Sequence, residues 1–444
     1  MSRVPPPGTV REEAWRLAGL SWPVVLSSLG MTTMSFVDFL VAGRLGAVSM
    51  GAVGIGHGVS FALLIPAIGT AHGVDPLVAQ AFGAGRPARA GAAAEKGAIW
   101  LALLAVGIVA GHLGAASLLA VLRQDPALVP EATLYCQICA AGVPPFVGFL
   151  LVRQLLQGNG LMRPAMWAVL IANIVNLFVD LAFGLGWGPF PRWGVAGIGW
   201  ATVAVRWVML GALLLVAWHP LRRARPTPEE RARLSLWEVG RMALPVGLHN
   251  SVEAWAFVAA GLVAGSLGAT AAAAHTASIN VASMAFMVAI GIGAAASTRV
   301  GNLVGAGLPW SRSAWVAVGL AMGLMSGSAV LFFTIPETIA RMYTPDPLVV
   351  AAVATVLPLA AAFQWFDGAQ AVAFGVLRGL GDTRVPSVLA LVAFWGLSVP
   401  LQIGLAHGLG WGLPGVWVGL VVGLATISVT LLIRMQWFAA RPPT

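Results

Sequence analysis

Charged residues are scarce in this chain. Asp, Glu, Lys and Arg together make up 9% of its 444 residues, and 59% of the residues are hydrophobic, whereas a soluble globular protein is about 25% charged. The mean hydropathy of +0.87 agrees with this composition. The shortage of charge argues against a water-soluble fold and predicts an integral membrane protein.

Cysteine is nearly absent, and several enzyme motifs are missing. Cys136 and Cys139 are the two cysteines of the chain, and without a second C-x-x-C pair a zinc or redox site is not indicated. We therefore interpret them as buried residues of a helix face.

Several enzyme motifs are also missing. No H-E-x-x-H occurs, and the glycine-rich stretches at 81–87 and 303–309 lack a Walker lysine. These absences argue against an enzyme, and the glycines are interpreted as sites of close packing and chain reversal.

The net charge of +9 does not indicate a nucleic-acid partner. The basic residues stand singly between apolar runs, whereas a nucleic-acid site needs a basic stripe with aromatic residues.

The N-terminus, MSRVPPPGTVREEAWR, is polar, and the apolar run after it is too long for the core of a signal peptide. We expect that run to remain in the protein as a helix.

Apolar runs of about 20 residues, the length of a bilayer-spanning helix, recur along the chain. They predict an all-α integral membrane protein with twelve transmembrane helices. The runs lie at about 14–41, 48–73, 93–121, 133–153, 163–186, 194–218, 238–266, 272–297, 312–334, 349–376, 386–409 and 413–436.

Lys and Arg residues are distributed unevenly between the two sides of these helices. If both termini are cytoplasmic, the other side receives only Arg44, Arg123, Arg192 and Arg341, and Arg206 falls within the sixth span. Cytoplasmic loops carry the excess of Lys and Arg in membrane proteins. The pattern therefore predicts a multi-pass membrane protein with an even number of spans and both termini in the cytoplasm.

The chain contains an internal repeat. Residues 22–87 match residues 244–309 at a constant shift of 222, so that Pro23 pairs with Pro245. The polar stretch 219–235 separates the copies, which predicts an N-lobe at 1–218, a cytoplasmic linker at 219–235 and a C-lobe at 236–444. Since six spans return the chain to the same side, the lobes are expected to be two pseudo-symmetric six-helix bundles in parallel orientation, an arrangement found in transporters.

Four carboxylic acids are predicted to lie at depth inside the membrane: Asp38, Asp180, Glu253 and Asp367. An ionised acid at the centre of a span costs about 2.5 to 3.5 kcal/mol on insertion scales, and only Arg206 is a basic residue at comparable depth. We expect the acids to hold a proton or a cation during part of a working cycle. The alternative is a fixed hydrogen bond or ion pair without a role in transport.

Other polar residues share helix faces with these acids. Asn176 precedes Asp180 by four residues, so that its amide lies on the same face and could share a cation with the acid or hydrogen-bond it. His249 likewise precedes Glu253 by four residues.

The motifs, in this order, resemble one known family. VDFLVAGRLGA at 37–47, PLVAQAFGAGR at 76–86, NLFVDLAFGLG at 176–186, LPVGLHNSVE at 244–253 and DGAQAVAFGVLRGLGDTRVP at 367–386 are similar to the NorM branch of the multidrug and toxic compound extrusion (MATE) family. The resemblance covers nearly the whole chain. It implies a secondary antiporter of the plasma (inner) membrane of a bacterium, in which inward H+ or Na+ flow expels small organic cations or amphiphilic drugs.

The resemblance also implies site residues, one group in each lobe. In the N-lobe the cation site would comprise Asp38, Asn176, Asp180 and Thr202, and in the C-lobe Glu253 and Asp367, so that either acid pair could bind Na+. No cofactor is implied beyond the coupling ion H+ or Na+. Membrane lipid is the expected surrounding, and a monomer is the expected state.

Two further features bear on mechanism. The family branch often has a tyrosine one turn before the acid of the tenth span, whereas this chain has Phe363, so that a Na+ site there lacks one oxygen and proton coupling gains support. Pro23 interrupts the first span and is a candidate bend.

The alternative function is a lipid-linked saccharide flippase of the same broad superfamily. Such a flippase would need basic residues in its cavity, where Arg206 is the single candidate.

Overall fold

The computed structural model describes residues 4–122 and 124–440. Every regular element in these two ranges is a helix, and twelve of the helical segments there are long and apolar enough to cross a membrane. The predicted all-α class and its twelve spans are therefore confirmed. In chain order the segments are α1 Val10–Leu45, α2 Ala47–Gly83, α3 Pro87–Leu113, α4 Val129–Gly158, α5 Arg163–Gly184, α6 Val195–Arg223, α7 Leu236–Ser266, α8 Ala269–Gly305, α9 Ser311–Thr334, α10 Pro347–Gly379, α11 Arg384–Gly408 and α12 Gly412–Ala439.

Equivalent glycines reverse the chain after α2 and α8. Gly85 has a φ of +72° and Gly307 a φ of +67°, a conformation that glycine adopts without the steric cost that a Cβ would add. At Gly83 a Cβ would come within 2.2 Å of the carbonyl oxygen of Asn302. The interpretation of the two glycine-rich stretches as sites of chain reversal and close packing is therefore confirmed.

Several spans contain turns that are not α-helical. α5 ends in a π-helical turn, Asp180–Gly184, and its i→i+5 bond runs from the Leu185 amide to the Asp180 carbonyl at 3.2 Å. α4 contains the 3₁₀ turn Ala140–Gly142, and α11 contains two more π-helical turns. Because π-helical turns are frequent at functional sites, the turn that begins at Asp180 is consistent with a functional role for that acid.

The chain divides into two compact units. One comprises the segment that ends at Val25, Gly83–Gly85 and the segment that begins at Leu248, and the other comprises Leu26–Phe82 and Arg86–Gly247. We call them the C-unit and the N-unit. The start of α1 therefore belongs to the C-unit and the start of α7 to the N-unit, although chain order alone would place each of them in the other half. The lobes at 1–218 and 236–444 stay a prediction.

Of the basic residues used to predict the topology, Arg3, Arg123 and Arg441 lie outside the described residues.

Two of the transitions between the units fall at equivalent points of the repeat. In α1 the transition follows Val25, two residues after Pro23, and in α7 it follows Gly247, two residues after Pro245. A proline removes one helical hydrogen bond and favours a kink. Each of these two transitions therefore lies within one helical turn after a proline.

The interior of the N-unit supports the segment that carries Asp38. Val41 and Ala42, one turn after this acid, pack in a cluster with Tyr135 and Ile198. Cys136 and Cys139 belong to the same cluster, and both are buried with free thiols. The interpretation of the cysteines as buried helix-face residues is therefore confirmed.

A buried ion pair holds the start of α1 within the C-unit. Glu13 is fully buried, and its carboxylate accepts two hydrogen bonds from Arg299 of α8, at 2.8 and 3.2 Å, and one from Ser313 of α9 at 2.7 Å. Arg16 donates a further bond of 2.8 Å from a partly exposed position. Such a bidentate pair fixes both distance and orientation.

We predict that Arg299→Met destabilises the protein strongly. Loss of one partner from a buried pair leaves an uncompensated charge and typically costs about 3 to 5 kcal/mol, so that the apparent melting temperature of the detergent-purified protein should fall by several degrees. Arg16→Met is the matched control, because its side chain is 37% exposed and Glu13 keeps its bonds to Arg299 and Ser313, so that the loss should cost about 1 kcal/mol or less. Equal melting temperatures for the two variants would contradict this account.

Candidate functional site

Asp38 and Asp180 lie in one polar cluster in the N-unit. The Nδ2 group of Asn176 donates to Asp38 Oδ1 at 2.8 Å and to Asp180 Oδ2 at 3.1 Å. The second bond confirms the geometry predicted from the four-residue spacing on α5. One amide thus bridges two acids from different helices, and its two hydrogens are both used.

A hydroxyl completes the donors around Asp38. Thr202 of α6 donates to Asp38 Oδ2 at 3.1 Å, so each oxygen of this carboxylate has a donor. The structure therefore brings together the four N-lobe residues that the resemblance implied. Asp38 is 5% exposed, and Asn176 and Asp180 are 1% and 0% exposed, so that these three side chains are buried, and Thr202 is partly buried.

Sequence reasoning missed two residues beside this cluster. The hydroxyl of Tyr135, on α4, lies 3.4 Å from Thr202 Oγ1, and His57 of α2 is close enough to Asp38 for their charges to interact. Tyr135 is one of two tyrosines in the chain, and a buried phenol usually requires a hydrogen-bond partner. That requirement is the one sequence signal that could have identified Tyr135 as a neighbour of the polar cluster.

The N-unit cluster has more oxygens than donors. Asp180 Oδ1 and Asn176 Oδ1 are buried, and neither has a hydrogen-bond partner in the described part of the chain. If both acids were ionised, two negative charges would share one neutral amide in a buried site, which is costly. The unpartnered oxygens fit either a proton on one acid or a small cation.

A second acid pair lies in the C-unit. Asp367 of α10 is 3% exposed, and the side chain of Glu253 on α7 is 16% exposed. The two are close enough for their charges to interact, and Gln370 lies beside Glu253. Asp367 Oδ1 and Glu253 Oε1 have no hydrogen-bond partner among the described residues. The structure therefore brings together both C-lobe residues that the resemblance implied.

His249 closes one side of the C-unit pair. Its Nε2 lies 3.7 Å from Glu253 Oε2, which is too long for a hydrogen bond, and its ring stacks on Phe374 with 3.7 Å between centroids and 8° between planes. The histidine is fully buried. It could approach the acid closely enough to exchange a proton after a small shift of either side chain.

Aromatic side chains surround the position where a tyrosine was expected. Phe363 is 2% exposed, and its ring lies 5.9 Å from Phe257 and 5.7 Å from Trp417. Gln364, its neighbour on α10, donates to the carbonyl of Ala282 at 3.2 Å rather than to an acid. This side of Asp367 therefore receives no oxygen from residue 363.

Carboxylates occur in pairs at both sites. Among the described residues no group of three or more His, Cys, Asp or Glu side chains could hold a metal ion. Each pair nevertheless adds amide or hydroxyl oxygens, and oxygen is the ligand that hard cations prefer. The chemistry of both sites suits reversible binding of H+ or Na+ better than a resident transition metal.

Arg206 lies in the N-unit but is directed away from the acids. Its Nη1 donates to the carbonyl of Cys139 at 3.4 Å, and the guanidinium lies 5.1 Å from the centre of the Phe146 ring. Among the described residues it makes no ion pair with Asp38 or Asp180. The basic residue at membrane depth therefore does not neutralise the acids.

The sequence and the fold both have known relatives. The MatE family model matches residues 23–181 and 245–403, two segments at the same shift of 222 as the internal repeat. The chain is 33% identical to the probable multidrug resistance protein NorM of Xanthomonas axonopodis pv. citri over 432 residues, which cover 95% of this chain and 93% of that protein. It is also 33% identical to the multidrug resistance protein PmpM of Pseudomonas aeruginosa, over 97% of this chain and 93% of that protein.

Solved structures agree with the fold. The crystal structure of the eukaryotic MATE transporter AtDTX14 superimposes with a TM-score of 0.87 at 20% identity and covers 96% of each chain. A crystal structure of MATE in the bent conformation superimposes with a TM-score of 0.86 at 20% identity, over 98% of this chain and 96% of that chain. From the sequence matches and the shared fold together, we conclude that the chain belongs to the MatE family, the multidrug and toxic compound extrusion family.

Proposed function

We propose that this protein is a secondary active antiporter of the bacterial inner membrane, which exports cationic or amphipathic drugs in exchange for inward H+ or Na+. Its relatives NorM and PmpM are multidrug resistance proteins by name. The observation that carries the proposal is the presence of two buried acid pairs with unpartnered oxygens, one in each unit. Both termini are expected on the cytoplasmic side, as the distribution of Lys and Arg indicates.

The coupling step is electrostatic. A proton or Na+ from outside would neutralise Asp38 and Asp180, or Glu253 and Asp367, and so change the relative free energies of two conformations. Coupling requires that the ion and the drug bind these conformations with different affinities. One net charge moving inward through 100 mV supplies about 2.3 kcal/mol, which is enough for a tens-fold accumulation of an uncharged drug. Exchange of one ion for one monovalent cationic drug moves no net charge and is driven by the concentration gradient of the ion.

Alternating access of the two lobes is the proposed motion. Pro23 and Pro245 support it, because the chain leaves one compact unit for the other two residues after each proline. Prolines are common causes of helix bends. In α1 the bend would lie fifteen residues before Asp38, on the helix whose acid changes its charge.

The aromatic surroundings of Phe363 support H+ as the ion at the C-unit pair. Na+ requires several oxygens around it, and a phenylalanine offers none at this position. A proton needs only one acid oxygen, and both acids there have an unpartnered oxygen. The lipid-linked saccharide flippase is the weaker candidate, because Arg206 is already engaged with Cys139 and Phe146.

Asp38→Asn tests the role of the N-unit acid in coupling. Asparagine keeps the shape of the side chain but cannot exchange a neutralising ion. Binding of the ion at this position therefore no longer changes the relative free energies of the two conformations. Ion-driven ethidium transport in everted vesicles should fall at least about tenfold at equal protein level, a loss of about 1.4 kcal/mol or more. Asp346→Asn is the matched control, because Asp346 is an exposed helix cap that asparagine can replace. Normal transport by both Asp38→Asn and Glu253→Gln would disprove the proposal.

A further prediction concerns the coupling ion. In everted vesicles with separately imposed gradients, the unmodified protein should respond to a pH gradient, and Phe363→Tyr should add a response to Na+ because its hydroxyl supplies an oxygen one turn before Asp367. Phe257→Tyr places the same hydroxyl on the neighbouring ring and serves as the control. Transport by the unmodified protein that follows only the Na+ gradient would rule out proton coupling.

A further inference from the structure

A cavity of about 180 Å³ lies within the N-unit, away from the acid cluster. Its wall is formed largely by the apolar side chains of Ala94 on α3, Leu151, Val152 and Leu155 on α4, and Leu221 on α6. Leu151, Val152 and Leu221 are half-buried. The cavity is therefore an apolar cleft between three helices rather than a sealed void.

Of the two charged residues at the edge of this cleft, one is in an ion pair with a described residue and the other is not. Glu95 and Arg225 both line it, and Glu95 forms an ion pair of 2.8 Å with Arg231. Arg225 is exposed and forms no ion pair with any described residue. The cleft therefore has an apolar wall with one available guanidinium at its rim.

The neighbouring sequence is also basic. The linker at 219–235 contains five arginines and two glutamates. Arg222 lies 4.5 Å above the ring of Trp218, which leaves its outer edge available to an anion. The electrostatic potential around the rim is therefore positive.

Tryptophans place the rim at the level of the lipid headgroups. Trp218 and Trp237 are 51% and 63% exposed, and Trp100 donates from its indole to the carbonyl of Leu236 at 2.9 Å. Exposed tryptophans of membrane proteins are enriched at the membrane–water interface. The apolar wall then extends from the rim towards the hydrocarbon, as the acyl chain of a lipid does.

We propose that this cleft binds one anionic glycerophospholipid, with an acyl chain against the apolar wall and the headgroup phosphate on Arg225. Arginine matches phosphate oxygens in charge and geometry, and basic pockets between transmembrane helices suit anionic headgroups. The inference does not depend on the transported substrate, the coupling ion or the orientation of the protein.

Native mass spectrometry of the detergent-purified, full-length protein tests the site, with phosphatidylglycerol as the probe. Arg225→Glu removes the phosphate ligand and reverses its charge, which should weaken binding by about fivefold for each unit of charge. Val152→Trp fills the cleft from α4 and keeps every charge, and it should weaken binding to a similar degree. Arg11→Glu is the control, because it makes the same charge change at an exposed position of the C-unit and should leave binding unchanged.

Three results would overturn the assignment. Equal losses for Arg225→Glu and Arg11→Glu would mean that only the net charge matters. Equal retention of phosphatidylcholine and phosphatidylglycerol would mean that the anionic headgroup is not recognised. Competition by soluble glycerol 3-phosphate as effective as that by the lipid would mean that the acyl chain contributes nothing. Because none of these readouts measures transport, failure here is distinguishable from failure of the antiporter proposal.

Discussion

The arrangement of this protein depends on the cost of an ionised carboxylate in a medium that cannot solvate it. An acid at the centre of a membrane span is unfavourable by about 2.5 to 3.5 kcal/mol on insertion scales. The acids of the two pairs nevertheless lie within the spans, and Arg206 donates to a backbone carbonyl instead of pairing with them. The acids are instead grouped in twos and surrounded by amides, a hydroxyl and a histidine. Neutral polar groups of this kind tolerate both the charged and the neutral acid, whereas a fixed arginine partner would hold the acid in its charged form.

The two halves share a backbone plan but not the chemistry placed on it. In the repeat Glu253 is equivalent to Met31, and Asp38 is equivalent to Ala260, so that the acids of the two halves stand two turns apart along equivalent helices. The surroundings differ accordingly. Asp38 has hydroxyl and amide donors, whereas Glu253 faces a histidine that stacks on a phenylalanine. Repetition of the scaffold conserves the glycines and prolines that set backbone shape, and it leaves the polar residues free to diverge.

Much of this organisation could be predicted from the sequence, because hydropathy and helical spacing are local properties. The twelve spans, the reversals at Gly85 and Gly307, and the Asn176–Asp180 contact all depend on residues close together in the chain. The proximity of Tyr135 and His57 to Asp38 could not be predicted in this way, since it depends on how α2 and α4 pack against α1. The grouping of the first turns of α1 with distant helices was missed for the same reason, as Glu13 meets Arg299 across 286 positions.

The bridge formed by Asn176 has a consequence for the identity of the ion. With both amide hydrogens turned toward the two acids, the amide oxygen points away from them and offers no ligand to a cation between the carboxylates. A bare metal cation seated between the same carboxylates would favour the opposite orientation, oxygen inward, and a half-turn of this one side chain would withdraw a donor from each acid at the same moment. The rotational state of a single amide thus discriminates between protonation and metal coordination at this centre.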